Sequence, residues 1–128
     1  MLDGLIVMSE YRAQPDRSLQ PLHRIHPMPT IRIDLPLHLR RLANLPTHET
    51  TLDLPIPITI ASVLDALEAA HPALRGTIRD HITQQRRPFL RFFVCNEDWS
   101  HLPTDTPLPE PILTAREPLI ILGAIAGG

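Results

Sequence analysis

The sequence predicts an α+β domain in which a mixed sheet of four to five strands carries one main helix across one face. Three observations predict it. Apolar residues alternate with polar ones along 31–39 and again along 52–58, a helical apolar face follows at 60–67, and an apolar run occupies 119–125. Two strands, a crossing helix and then further strands bury their apolar faces best as a sheet with the helix laid against it.

A chain of 128 residues supports one hydrophobic core. The hydrophobic share of 43% is ordinary for a globular protein, and a formal charge of -2 gives no electrostatic case for nucleic acid or a membrane surface as partner. The single cysteine, Cys95, cannot form an internal disulfide, and the early "GLIVM" is too short for a secretory core or a membrane span. A cytoplasmic protein is therefore expected. All twelve basic residues are arginine, a bias that a skewed genome composition explains better than function does. One chemical consequence holds either way: no side chain of this chain offers an amine to attack an acylating group.

Residues 1–29 lack a period of 2 or 3.6 and grow rich in proline, so they read as a disordered extension before a domain at 30–128. Met8 and Met28 offer alternative starts. His23 and His26 have His-x-x-His spacing, but no Cys, Asp or Glu accompanies them nearby, and no metal site is expected. Ile31, Ile33, Leu35, Leu37 and Leu39 alternate with Arg32, Asp34, Pro36, His38 and Arg40, which predicts a half-buried strand. After the turn "ANLPTHET", Leu52, Leu54, Ile56 and Ile58 alternate again. Pro55 and Pro57 on the other face cannot donate to a ladder, so this strand should lie on an edge or finish early.

Thr59 offers an N-cap to "IASVLDALEAA", where Ile60, Val63, Leu64 and Leu67 share one helical face. Pro72 should stop that helix, and "ALRGTIRDHI" should restart a short turn or two before the basic "QQRRP" loop. In "PFLRFFVC", Leu90, Phe92 and Val94 point one way while Arg91, Phe93 and Cys95 point the other. "NED" supplies turn chemistry, with Asn96 tolerating a left-handed backbone, and "WSHL" reads as a short return strand. "PTDTPLPEPILTAREP" reads as an irregular loop. "LIILGAI" is apolar on both faces, as in a central strand covered on each side or paired with parallel neighbours.

The sequence closes with "LGAIAGG". Gly127 and Gly128 carry no Cβ and so can thread a narrow channel. A terminal carboxylate has an ordinary pKa of about 3.5 and is ionised at neutral pH, able to attack the α-phosphate of ATP held by another enzyme. The product is an acyl-adenylate. A persulfide attacking it leads to a thiocarboxylate, and a thiol gives a thioester.

With these residues in view, the chain resembles the MoaD/ThiS family of ubiquitin-like β-grasp sulfur carriers, whose larger branch includes the small subunit of molybdopterin synthase. The likeness rests on "LPLHLRRL" as first strand, "TIASVLDALEAAHPALRGTIRD", "RPFLRFFVCNED", "DTPL" and the terminal "GAIAGG", and it runs from about Ile31 to Gly128. The resemblance implies that Gly128 is adenylated by an E1-like adenylyltransferase and converted to a thiocarboxylate. It further implies that Gly127 and Gly128 are the functional pair, that Ala124, Ile125 and Ala126 form the stem before them, and that this tail, Gly127 included, binds in a sulfur-accepting synthase large subunit, which does the catalysis. ATP then belongs to the activating enzyme, and no bound cofactor is implied. The sequence departs from the pattern at Cys95 and Asn96, where Asn-Gly is common, at Gly123, where proline is usual, and in "PEPILTAREP".

Other side chains give weaker signals. Cys95 reads as a small apolar filler, Trp99 as core or rim packing as readily as a partner anchor, and Arg86 and Arg87 as a solvated basic pair. His48, His71, His81 and His101 lie in separate segments with no serine or carboxylate spacing that makes a triad, so no autonomous enzyme is expected. The alternatives are a carrier for a thiamin thiazole or cysteine pathway, a ubiquitin-like protein modifier, and a β-grasp binding module without carrier chemistry.

Overall fold

The computed structural model describes residues 27–123. The expected disordered leader, apart from its last three residues, and the candidate site residues Ala124, Ile125, Ala126, Gly127 and Gly128 lie outside the described residues.

Five strands make one sheet: β1 (Thr30–Asp34), β2 (Glu49–Asp53), β3 (Leu90–Val94), β4 (Glu97–Asp98) and β5 (Leu119–Gly123), in the order β2-β1-β5-β3-β4. β5 is central, parallel to β1 and antiparallel to β3, while β1 and β2 form an antiparallel hairpin. The helices are α1 (Leu37–Leu42), α2 (Ile60–Ala70) and α3 (Glu110–Leu113), with a 3-10 turn at Pro72–Leu74. The sheet is mixed and five-stranded, with α2 the main helix, as the sequence predicts.

α2 forms where the capping chemistry begins. Thr59 Oγ1 accepts from the Ser62 N–H at 3.0 Å, and the Thr59 N–H donates to Ser62 Oγ at 3.0 Å, a reciprocal capping box. Ile60, Val63, Leu64 and Leu67 are all buried against Ile31, Ile33, Leu90, Phe92, Leu119 and Ile121 on the facing side of the sheet. The helix stops at His71, before Pro72, as expected. The expected restart is a single 3-10 turn that ends before Gly76, whose φ of +77° suits a residue without a Cβ. Leu74 and Ile78, on either side of it, are wholly buried.

The long first strand is corrected. β1 ends at Asp34, and Leu37–Leu42, part of the segment matched to the family's first strand, is helical. Pro36 sits at the N-cap of α1, and beyond it burial changes period: Leu35 and Leu39 are buried while Leu37 is exposed. The second strand is an edge, as expected, but it lies earlier than the alternation placed it: β2 is Glu49–Asp53, beginning within the expected turn, and of the 52–58 run only Leu52 and Asp53 belong to it. The return strand is Glu97–Asp98 rather than "WSHL". Val94 pairs with Glu97 across Cys95 and Asn96, whose φ values of 48° and 69° give the twist a two-residue hairpin requires. Trp99 N–H adds one more bond, to Phe92 O at 2.8 Å, before the chain turns away. The proline-rich loop contains the four-residue α3, which buries Ile112.

Candidate functional site

The sheet register fixes which side chains surround the end of β5. Leu90 faces Gly123, Arg91 faces Leu122 and Phe93 faces Ile120. Leu119 and Ile121 point to the core, so Ile120 and Leu122 lie on the opposite face with Arg32 and Asp34 of β1 and Arg91 and Phe93 of β3. β5 is central and pairs in parallel with β1, one of the two arrangements its apolar run predicts, while Leu122, 47% exposed, shows that its outer face is not fully covered. This outer face carries the half-buried Ile120 and Phe93 and the exposed Leu122, edged by charge, and Arg32 on it donates to Ala115 O at 2.9 Å. Arg91 Nη1 lies 3.2 Å from Asp98 Oδ2 and 3.4 Å from His101 Nε2 along that edge.

At Gly123 the strand passes close to the start of α1. A Cβ built there would lie 2.8 Å from His38 Cε1 and 3.6 Å from Pro36 Cγ. Pro36, Leu37, His38 and Arg41 line a shallow groove with Gly123. The closeness of α1 gives this glycine a packing reason where the family commonly has proline. The last described residue therefore sits in a collar of named side chains, and the sequence continues for five residues to Gly128.

The lesser candidates each have a definite place. Cys95 is half-buried against the core, and burial, with the charges of Glu117 and Glu97, pushes its thiol pKa up; Arg116 opposes them weakly. That is the opposite of an activated thiolate. Trp99 also packs against the core, with its indole N–H 3.5 Å from Glu97 Oε1. Arg86 and Arg87 are more than a solvated pair: Arg86 Nη1 donates to Leu90 O at 2.7 Å, and Arg87 Nε to Gly76 O at 2.8 Å, stapling the loop to its neighbours. His101 lies near a serine and a carboxylate: it shares Arg91 with Asp98, whose carboxylate accepts from the Ser100 N–H at 2.8 Å, while Ser100 Oγ accepts from the Phe92 N–H at 2.9 Å.

Two clusters were hidden in the sequence. Arg79 is buried and bonds both oxygens of Glu68, at 3.0 and 3.1 Å, as well as Asp65. Asp65 and Glu68, three apart on a helix, were the available signal. The second cluster is Asp34, His48 and Glu49, whose ligand atoms all lie within 4.8 Å of one another. Pairing of Asp34 with Glu49 creates it, a register that one sequence does not reveal. Both Glu49 oxygens accept from Arg32, at 3.0 and 2.8 Å, so that carboxylate is already committed to an ion pair.

No family model and no curated protein matches this sequence. Solved structures do match. SAMP1 of Haloferax volcanii superposes with a TM-score of 0.61 at 18% identity, covering 77% of this chain and 99% of that one. The fold is a β-grasp. The small archaeal modifier protein 1 of Methanosarcina acetivorans shares this β-grasp with a TM-score of 0.59 at 21% identity, over 79% of this chain and 98% of that one. The HVO 2177 protein of Haloferax volcanii gives 0.56 at 17% identity, over 77% and 88%. The two modifier proteins are ubiquitin-like, and the likeness of this chain to all three structures is one of fold. No described helix is long and apolar enough to cross a membrane.

Proposed function

We propose that this protein is a sulfur carrier whose reactive group is the carboxylate of Gly128. The observation that carries the reading is the position of β5: a central strand delivers Gly123 to the sheet's end, five residues short of a Gly-Gly terminus. A central strand is anchored on both sides, so a partner can pull on the residues beyond Gly123 without unravelling the domain. An E1-like adenylyltransferase would bind ATP, and the carboxylate oxygen would attack the α-phosphorus and expel pyrophosphate. A persulfide sulfur would then displace AMP, and reduction of the resulting acyl disulfide by a thiol would leave the thiocarboxylate. Ala124, Ile125, Ala126 and Gly127 form the stem that enters the activating enzyme and then the large subunit of the sulfur-accepting synthase. The exposed Leu122, with the half-buried Ile120 and Phe93 on the same face, fits a partner surface beside that stem. The branch we favour is molybdopterin synthesis, on the length of the domain and the order of its motifs, with a cytoplasmic setting. The protein is a co-substrate or non-catalytic subunit rather than an enzyme.

A second reading, attachment to other proteins, is favoured by the names of the structural neighbours, which are modifier proteins. Intact-mass spectrometry of the protein isolated from its host separates the two. A carrier shows a fraction with one oxygen replaced by sulfur, and a modifier appears joined to lysines of other proteins. A pool carrying neither contradicts both.

A further inference from the structure

This inference rests on activation of Gly128 and concerns how the activating enzyme grips the folded domain. Gly123, where β5 ends, has exposed apolar side chains on both flanks. Toward β3 it pairs with Leu90, so Phe89, 58% exposed, stands one residue beyond that end of the ladder. Toward β1, the groove that Gly123 shares with α1 includes Leu37, 49% exposed. Leu122, also exposed, directly precedes Gly123. Exposed apolar residues scattered singly are ordinary, whereas a group of them about one backbone position forms a patch. Arg41 gives that patch a charge. α1 contains no acidic residue, and the Arg41 side chain makes no hydrogen bond or ion pair with the described residues, while Arg32, Arg79, Arg87, Arg91 and Arg116 each meet a carboxylate.

Covalent reach names the occupant. Gly128 is five residues after Gly123 and can stand at most about 18 Å from it by any path. A stable interface covers about 800 Å² on each partner, a patch of roughly 16 Å radius. An enzyme that receives Gly128 in its ATP site therefore comes against this end of the domain. We propose that Leu37 and Phe89 are the apolar anchors of the surface held by the adenylating enzyme, with Arg41 set against a carboxylate of that enzyme. The complementary surface is apolar and acidic. Burying a leucine and a phenylalanine there takes their exposed area out of water and slows release, while the charge pair speeds encounter and fixes orientation. The surface continues the outer-face patch of Leu122, Ile120 and Phe93 around the end of the sheet onto α1. Contact through the folded body lets the enzyme tell this carrier from another chain ending in Gly-Gly.

Calorimetric titration of the full chain into its cognate activating enzyme tests this, with ATP–pyrophosphate exchange followed on the same samples. Leu37→Ser combined with Phe89→Ser should weaken binding about tenfold or more and raise the KM for exchange in step, leaving kcat within about twofold. Arg41→Glu should weaken binding about fivefold at low salt and much less at high salt. Ile56→Ser is the control. Ile56 is similarly exposed but follows β2, whose Asp53 pairs with Thr30 at the far end of the sheet from Gly123, and its variant should bind as the natural chain does. All forms should share one thermal unfolding curve, since every replaced side chain is exposed. Unchanged affinity of the Leu37 and Phe89 double variant overturns the proposal, even where that variant breaks self-association of the chain. Tight binding without exchange would count against activation of Gly128 and leave this surface standing, whereas exchange at undiminished affinity in the variants overturns this inference alone. Neither binding nor exchange with the natural chain overturns both.

Discussion

Arg79 shows what a single side chain does for this domain. It is almost fully withdrawn from solvent, with a side chain 6% exposed against Glu68 at 11%, and it ties the segment after the 3-10 turn to α2. Removing one partner of such a pair leaves the other charge buried alone. Arg79→Ala should therefore lower unfolding free energy by about 3 kcal/mol, read by urea denaturation. The cap is a smaller matter: Thr59→Ala should cost about 1 kcal/mol in the same assay. Asp34 and Glu49 should respond to pH with opposite sign. Burial, helped by Glu49 and opposed by His48, raises the Asp34 carboxyl above its ordinary pKa. Its ionised form is thus a burden on the fold at neutral pH, relieved as pH falls through the raised value. Asp34→Asn should raise the urea midpoint near about pH 7, with the gain vanishing in acid. Hydrogen bonding from Arg32 lowers Glu49, so its stabilisation is present above the ordinary glutamate pKa and lost as pH falls through the lowered one. Glu49→Gln should lower the midpoint at neutral pH and converge with the parent in acid.

At the scale of elements, the segment after β1 separates two readings of one pattern. Leu35, Leu37 and Leu39 alternate like a strand, yet Leu37 is exposed while Leu39 is the buried residue of a helix that Pro36 caps, and Leu35 is buried just before it. Leu39→Ala should cost about 3 kcal/mol, whereas Leu37→Ala should stay within about 0.5 kcal/mol. Equal losses in thermal melts would restore the strand. α2 was legible because three independent signals agreed: Thr59 before it, a face at i, i+3, i+4 and i+7, and Pro72 after it. The edge strand was legible because Pro55 and Pro57 lack the donor a central position needs. The 31–39 run was not, since a pattern of period 2 contains residues four apart and Pro36 suits both a strand's end and a helix's start. The same limit hid the Asp34–Glu49 pairing and the partly open outer face of β5, because an apolar run does not say which neighbours cover it.

For the whole molecule, the packed core is built by residues that precede the group assigned to chemistry in the sequence. The core lies between α2 and the inner face of the sheet, and its largest buried members, such as Phe92, Ile31 and Leu64, all precede β5's last residue. Stability and activation should therefore respond to different substitutions. Replacing Gly127 with tryptophan should leave the melting temperature unchanged while impairing entry into the partner's channel, measured as sulfur loading. The most direct measurement is ATP–pyrophosphate exchange by the cognate activating enzyme on the full chain and on a chain lacking Gly128. The account predicts exchange with the first, none with the second, and the same thermal unfolding curve for both. Undiminished exchange with the shortened chain would contradict it.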